Sequence, residues 1–91
     1  MRVLWTVIAA EDLENIVRHI QQDNPLAARE VASRLFESGC ALERFPRRGR
    51  RGRVRGTREL VFPPLPYILV YRVRKEAVEI LRLYHAAQDW P

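Results

Sequence analysis

Tyr67-Ile68-Leu69-Val70-Tyr71-Arg72-Val73-Arg74, then Lys75-Glu76, then Ala77-Val78-Glu79-Ile80-Leu81-Arg82-Leu83-Tyr84 is the stretch that decides the fold. β-Branched and aromatic residues dominate both runs, as expected of strands. A two-residue turn at Lys75-Glu76 pairs 74 with 77, 72 with 79, 70 with 81 and 68 with 83. Arg72 then faces Glu79, a cross-strand charge pair that supports the register. One face of the hairpin would carry Ile68, Val70, Leu81 and Leu83, and the other Leu69, Tyr71, Val73, Val78 and Ile80. Both faces are apolar. Two helices can cover only one. The other is either a partner site or is covered by the chain's own loop and tail.

Before this hairpin, Thr57 to Phe62 reads as a strand, and Pro63-Pro64-Leu65-Pro66 as a turn, since prolines cannot donate to a central ladder. After it, His85 to Pro91 forms a short tail. Near the start, Arg2 to Val7 reads as a short strand and Ala9 to Gln22 as a helix, with Leu13, Ile16, Val17 and Ile20 on one stripe. Glu11, Asp12 and Glu14 are expected in its first turns, where the helix dipole favours anions. Asp23-Asn24-Pro25 stops that helix and starts another, with Asn24 as cap and Pro25 at the first position. The second helix should run to about Arg44, with Ala28, Val31, Leu35, Leu42 and Phe45 on its apolar side, and Gly39 should weaken it. Phe45-Pro46 ends it. The expected fold is α+β, one domain over residues 1–91: an N-terminal strand, a helical hairpin, then a three-stranded antiparallel meander with the helices on one face of the sheet.

Charge is unevenly spread. Residues 1–43 hold four basic and seven acidic side chains, a net of −3, whereas residues 44–91 hold twelve and four, a net of +8. Seven arginines lie between Arg47 and Arg58: Arg47, Arg48, Arg50, Arg51, Arg53, Arg55 and Arg58. Arginine outnumbers lysine fifteen to one. Such a loop repels itself and calls for an acidic partner: nucleic acid, a ribosome, an acidic protein segment or an anionic membrane. Guanidinium groups suit phosphate and carboxylate forks.

With 91 residues, a bound partner could supply much of the stability. The single Cys40 excludes an internal disulfide, and a reducing cytoplasm is the simplest home. No stretch approaches a membrane span. Val3 to Ala10 is short, is broken by Thr6 and runs into Glu11 and Asp12, unlike a signal peptide. No metal site is expected, because His19 and His85 are far apart and Cys40 has no companion at ligand spacing. No dinucleotide or Walker fingerprint is present, so no cofactor is expected. Tyr84-His85, with Arg53, Arg58 or Arg82 to stabilise a developing phosphorane charge, would make a metal-free ribonuclease site; otherwise His85 is a strand-end histidine without chemistry.

Several segments resemble one family. Trp5-Thr6, Ala10-x-Asp12-Leu13-x-x-Ile16 and Asp23-Asn24-Pro25-x-Ala27-Ala28 are similar to the N-terminal half of the RelE/ParE superfamily, the toxins of bacterial type II toxin–antitoxin modules. Leu42-x-x-Phe45-Pro46-x-x-Gly49-Arg50-x-Gly52-Arg53-Val54 resembles its central loop. Gly56-Thr57-Arg58-Glu59-Leu60-Val61, Pro66-Tyr67-Ile68-x-x-Tyr71-Arg72-Val73 and Val78-Glu79-Ile80-Leu81-Arg82-x-x-His85-x-x-Gln88-x-Trp90-Pro91 resemble its sheet.

The resemblance implies a cognate antitoxin, usually encoded alongside, whose disordered segment folds onto the toxin in a hetero-oligomer. It places Arg47, Arg48, Arg50, Arg51, Arg53, Arg55, Arg58, Ile68, Val70, Leu81 and Leu83 as candidates for contact with antitoxin or target. The family divides by target: RelE-type members cut mRNA on the ribosome without a metal, and ParE-type members poison DNA gyrase. This chain departs from the RelE pattern. Ile68 stands where the ribonucleases usually carry an arginine, and Glu59 and Val61 stand where RelE places lysines. The resemblance therefore favours the gyrase branch. A ribosome-dependent ribonuclease using Arg53, Arg58, Arg82, Tyr84 and His85 is the alternative, and a plain nucleic-acid-binding module the third reading.

Overall fold

The computed structural model describes residues 1–88; of the tail and of the Gln88-x-Trp90-Pro91 motif, residues 89–91 lie outside the described residues. The order of elements is β1 (Arg2–Trp5), α1 (Val7–Asp23), α2 (Pro25–Cys40), a short 3-10 turn (Ala41–Glu43), β2 (Arg50–Arg51), β3 (Arg58–Phe62), β4 (Leu65–Val73) and β5 (Ala77–His85). The five strands form one sheet in the order β1-β5-β4-β3-β2. β1 runs parallel to β5, and every other pair is antiparallel. The α+β class, the helical hairpin and the meander are as expected. The sheet is wider than the meander, because β1 joins its last strand and β2 extends the other edge.

The first strand ends two residues early because Thr6 caps α1. The Thr6 hydroxyl oxygen accepts the Ala9 N–H at 3.0 Å and its proton goes to the Leu81 carbonyl at 3.1 Å. Val7 and Ile8, expected to close the strand and the gap after it, instead form an exposed first helical turn. Glu11, Asp12 and Glu14 therefore fall beyond the first turn, which holds no acid. The Asn24 side chain accepts the Ala27 N–H at 3.1 Å and Pro25 opens α2, as expected.

Ala9 of α1 and Val31 and Leu35 of α2 pack with Leu42 against Leu60, Phe62, Leu69, Tyr71, Val78, Ile80 and Leu83 of the sheet. Each fully buried leucine here contributes roughly 1.5–3 kcal/mol of transfer free energy. Gly39 permits this contact: a Cβ there would stand 2.8 Å from the Trp5 ring and 3.0 Å from Ile80 Cδ1. The glycine expected to weaken α2 is the point where β1 and β5 approach it. Phe45, expected on the apolar side of α2, lies beyond the helix and is 61% exposed. Leu65 and Pro66 belong to β4 rather than to the turn, Pro66 at the strand start where its missing N–H costs little.

The hairpin register needs one correction. Arg72 pairs with Glu79 and Val73 with Val78 as expected, but a shift between Val70 and Tyr71 moves the rest: Tyr71 faces Ile80, whereas Val70 faces Arg82. Leu81 is the extra residue of this bulge. Past it every side chain of β5 changes face. Leu83 therefore pairs with Leu69 and sits in the helix-side core, not beside Ile68 and Val70. Those two share a smaller cluster on the second face with Tyr84, against which Leu81 packs.

A candidate toxin interface

The second face is only partly open, because the arginine loop folds towards it. Glu59 of β3, beside Val70, is the one charged residue buried among those described, at 6% exposure. Its Oε1 accepts Arg50 Nε at 3.2 Å and Nη2 at 3.0 Å, and its Oε2 accepts the Arg53 N–H at 3.0 Å. A buried carboxylate needs such partners, and here they come from the loop itself. Arg50 and Arg51 thereby pair with Glu59 and Arg58 as the two-residue strand β2. Burial, then the nearby Glu59 charge, push the Tyr84 phenol up from its ordinary value. Ile68, Val70 and Leu83 are buried in the chain alone, so of the four residues expected on this surface only Leu81 is partly open, with exposed Val61 of β3 beside Ile68.

The loop is pinned from beneath. The buried Tyr71 hydroxyl accepts the Gly49 N–H at 2.8 Å and donates to the Pro46 carbonyl at 2.8 Å. Arg58 Nη1 donates to the Gly49 carbonyl at 2.7 Å. Gly56, at φ 84°, supplies the left-handed turn that brings the loop back into β3. Phe45, Pro46, Arg47 and Arg48 form an open shelf of about 600 Å³ on the loop's near side.

At the far end of β5, Asp12, Asn15, His19, Tyr67, Arg82, Tyr84 and His85 line a hollow of about 430 Å³. Asp12 closes it. Its Oδ2 takes Arg82 Nε at 2.7 Å and the Leu83 N–H at 3.0 Å, continuing the ladder where β1 has ended. The bond to Asp12 raises the Arg82 guanidinium above its ordinary value. His85 stands edge-on to Tyr67, and its Nδ1 accepts the Ala87 N–H at 3.0 Å. In the neutral ring the proton therefore sits on Nε2.

Of the five side chains considered for RNA cleavage, Arg82, Tyr84 and His85 meet in this hollow. Arg53 approaches Tyr84 from the loop. Arg58 does not join them: it faces Tyr71, four positions along β4 from the Tyr67 that faces His85. That spacing is about 13 Å at the usual strand rise. His19 and Asp12 line the same hollow, and sequence reasoning did not place them there. Asp12 and Arg82 each carried a signal in the family resemblance, but nothing in the sequence pairs them across 70 residues.

Residues 3–90 match the family described as ParE toxin of type II toxin-antitoxin system, parDE. The chain belongs to this family. Y4kP of Sinorhizobium fredii, provisionally named a toxin, is 43% identical over 90 residues, covering 99% of this chain and 93% of its own. Toxin RelE2 of Caulobacter vibrioides is 41% identical over 87 residues, covering 96% and 97%. Among solved structures, the chromosomal ParDE system of P. aeruginosa superposes with a TM-score of 0.86 at 28% identity, covering 93% of this chain and 95% of that one. The RelBE2 toxin–antitoxin complex of Mycobacterium tuberculosis gives a TM-score of 0.61 at 29% identity, covering 92% and 95%. The chain is thus a type II toxin of the RelE/ParE superfamily. No helix among the described residues is long and apolar enough to cross a membrane.

Proposed function

We propose that this chain is a single-domain, cytoplasmic toxin that arrests growth by binding DNA gyrase through a protein–protein contact, and that a cognate antitoxin silences it. The observation that carries this reading is the condition of three of the five side chains a ribonuclease would use. Asp12 neutralises Arg82, Arg58 is held by loop carbonyls at the opposite end of β4, and His85 Nδ1 is occupied by a backbone N–H. Buried Glu59 and apolar Ile68 and Val70 share the second face with Tyr84, whereas Arg58 and His85 stand opposite Tyr71 and Tyr67 on the helix side. An acidic and apolar floor repels a phosphodiester rather than stabilising its transition state. The match to the ParE family and the high TM-score to a chain of a ParDE system support the same reading.

The contact surface we assign to protein partners is the shelf of exposed Phe45 with Pro46, Arg47 and Arg48, together with Leu81 and the outer side of Arg50. An exposed aromatic flanked by arginines has the composition of an interface anchor. An antitoxin segment with acidic and apolar side chains suits the same ground. The ParDE and RelBE2 neighbours, whose descriptions name two-part systems, support such a partner.

Induced expression without antitoxin, read separately for translation and for DNA breaks, tests the proposal. DNA breaks with translation intact at early times, and cleaved DNA accumulating with purified gyrase, are the expected results. The pair Tyr84→Phe with His85→Ala should leave toxicity unchanged. Early cuts in translated mRNA that vanish in that double variant would establish the ribonuclease alternative instead.

A further inference from the structure

The arginine loop has two sides, and only one is spoken for. The Arg50 guanidinium and the Arg53 backbone N–H turn to Glu59. Arg47, Arg51, Arg55 and Arg58 instead meet Arg74 and Lys75 of the β4–β5 turn around a basin of about 790 Å³, with Gly52, Gly56 and Thr57 in its wall. Arg74 is paired with Glu79. Arg47, Arg51, Arg55, Arg58 and Lys75 have no carboxylate within ion-pair distance among the described residues. Five uncompensated cations around one concavity repel each other, and an anion relieves that repulsion.

We infer that this basin binds the phosphate backbone of duplex DNA without regard to sequence. The lining decides the class of ligand. A protein segment needs aliphatic or aromatic anchor pockets, and among the described residues the basin offers only Met1 and Val73 as large apolar ones. A single-stranded nucleic acid is held by aromatic platforms beneath its bases, and no aromatic among the described residues lines the basin. Guanidinium groups carried on two adjacent loops, with glycine backbone between them, fit successive phosphates. Arg58 is the fixed wall of the site, because its guanidinium is already oriented by the Gly49 carbonyl at 2.7 Å. Arg47, Arg51, Arg55 and Lys75 supply the contacts that can adapt to a backbone. The basin lies at the opposite end of β4 from the Tyr84–His85 hollow, so DNA held here is not presented to those residues.

The inference stands apart from the gyrase reading, since it concerns DNA and toxin alone. Its test is fluorescence anisotropy of a labelled duplex of about 24 base pairs with the purified toxin, in a salt series and without gyrase. Binding should be equal for unrelated duplexes. Four backbone contacts should give a slope of log K against log salt of about −3.6. The triple variant Arg51→Ser, Arg55→Ser, Lys75→Ser should weaken binding by about tenfold or more. Removing the same charge elsewhere, in Arg18→Ser, Arg29→Ser, Arg44→Ser, should weaken it clearly less. Equal losses in the two variants would reduce the effect to net charge and overturn the site. So would tighter binding of single-stranded DNA, or binding of poly-glutamate in preference to the duplex. The salt slope is read on the unaltered protein and does not depend on either variant folding.

Discussion

The backbone N–H of Gly49 donates to the buried hydroxyl of Tyr71 across 2.8 Å. That hydroxyl passes its own proton to the Pro46 carbonyl at the same distance, so one phenol on β4 fixes both sides of the bend that starts the arginine loop. Tyr71→Phe should destabilise the chain by about 1–3 kcal/mol, since it strands a buried N–H and a carbonyl. Urea unfolding measures this. A loss within error of zero would mean that the loop does not depend on the phenol. Burial also raises this phenol above its ordinary 10.0. Its contribution is full below pH 10, is lost as pH rises through the folded value, and should be missing from the alkaline limb of the phenylalanine variant.

Gly39→Ala sets two effects against each other. Alanine favours the helix by about 1 kcal/mol. Its methyl would stand 2.8 Å from a Trp5 ring that is itself stacked on Phe36 with centroids 5.7 Å apart, so the ring has little room to yield. Overpacking typically costs about 1–3 kcal/mol, and a net loss is expected. Thermal unfolding decides it, and adding Trp5→Leu should return part of the loss.

Asp12 holds Arg82 and the Leu83 N–H together. Asp12→Asn keeps an oxygen for the N–H and loses the charge. Asp12→Ala loses both. The expected order is a loss of about 1 kcal/mol for asparagine and about 2–4 kcal/mol for alanine, moderated by solvent around the half-exposed guanidinium. Chemical denaturation of the two variants checks the order. An asparagine variant as unstable as the alanine one would show that charge, not ladder continuation, is what Asp12 supplies.

Hydrogen bonds from Arg72 and then Arg74 hold the Glu79 carboxyl below its ordinary 4.5. A carboxyl lowered in the folded state stabilises above its unfolded value, and that contribution disappears as pH falls through the folded one. The melting temperature should therefore decline on acidification below about pH 4.5. Glu79→Gln should flatten that limb by lowering the neutral plateau towards the acid level. A limb of equal slope in the variant would assign the acid sensitivity to other carboxyls.

What the sequence disclosed followed local chemistry. Asn24-Pro25 marked the helix junction, and Arg72 opposite Glu79 set the start of the hairpin register. The bulge at Leu81 was not legible, because no glycine marks it and its carbonyl partner is Thr6, 75 residues away. One undetected extra residue was enough to put Leu83 on the wrong face. β2 was hidden for a related reason. Two arginines carry no strand signal of their own, and their pairing depends on the buried Glu59 beneath them. Tyr84 and His85 were found as a pair, but the company they keep, Asp12 and His19, comes from α1 and is assembled only by the fold.

The parallel pairing of β1 with β5 has a consequence for synthesis of the toxin. Among the described residues β5 is the latest strand in chain order, yet it lies between β1 and β4 and touches α1 as well. Until it leaves the ribosome, β1 has no neighbour and the helices have half a floor. A message that is broken or stalled before the codon for Ala77 yields a chain with no route to the finished sheet, and so no working poison. Only a chain translated through β5 can therefore assemble the finished sheet of the toxin.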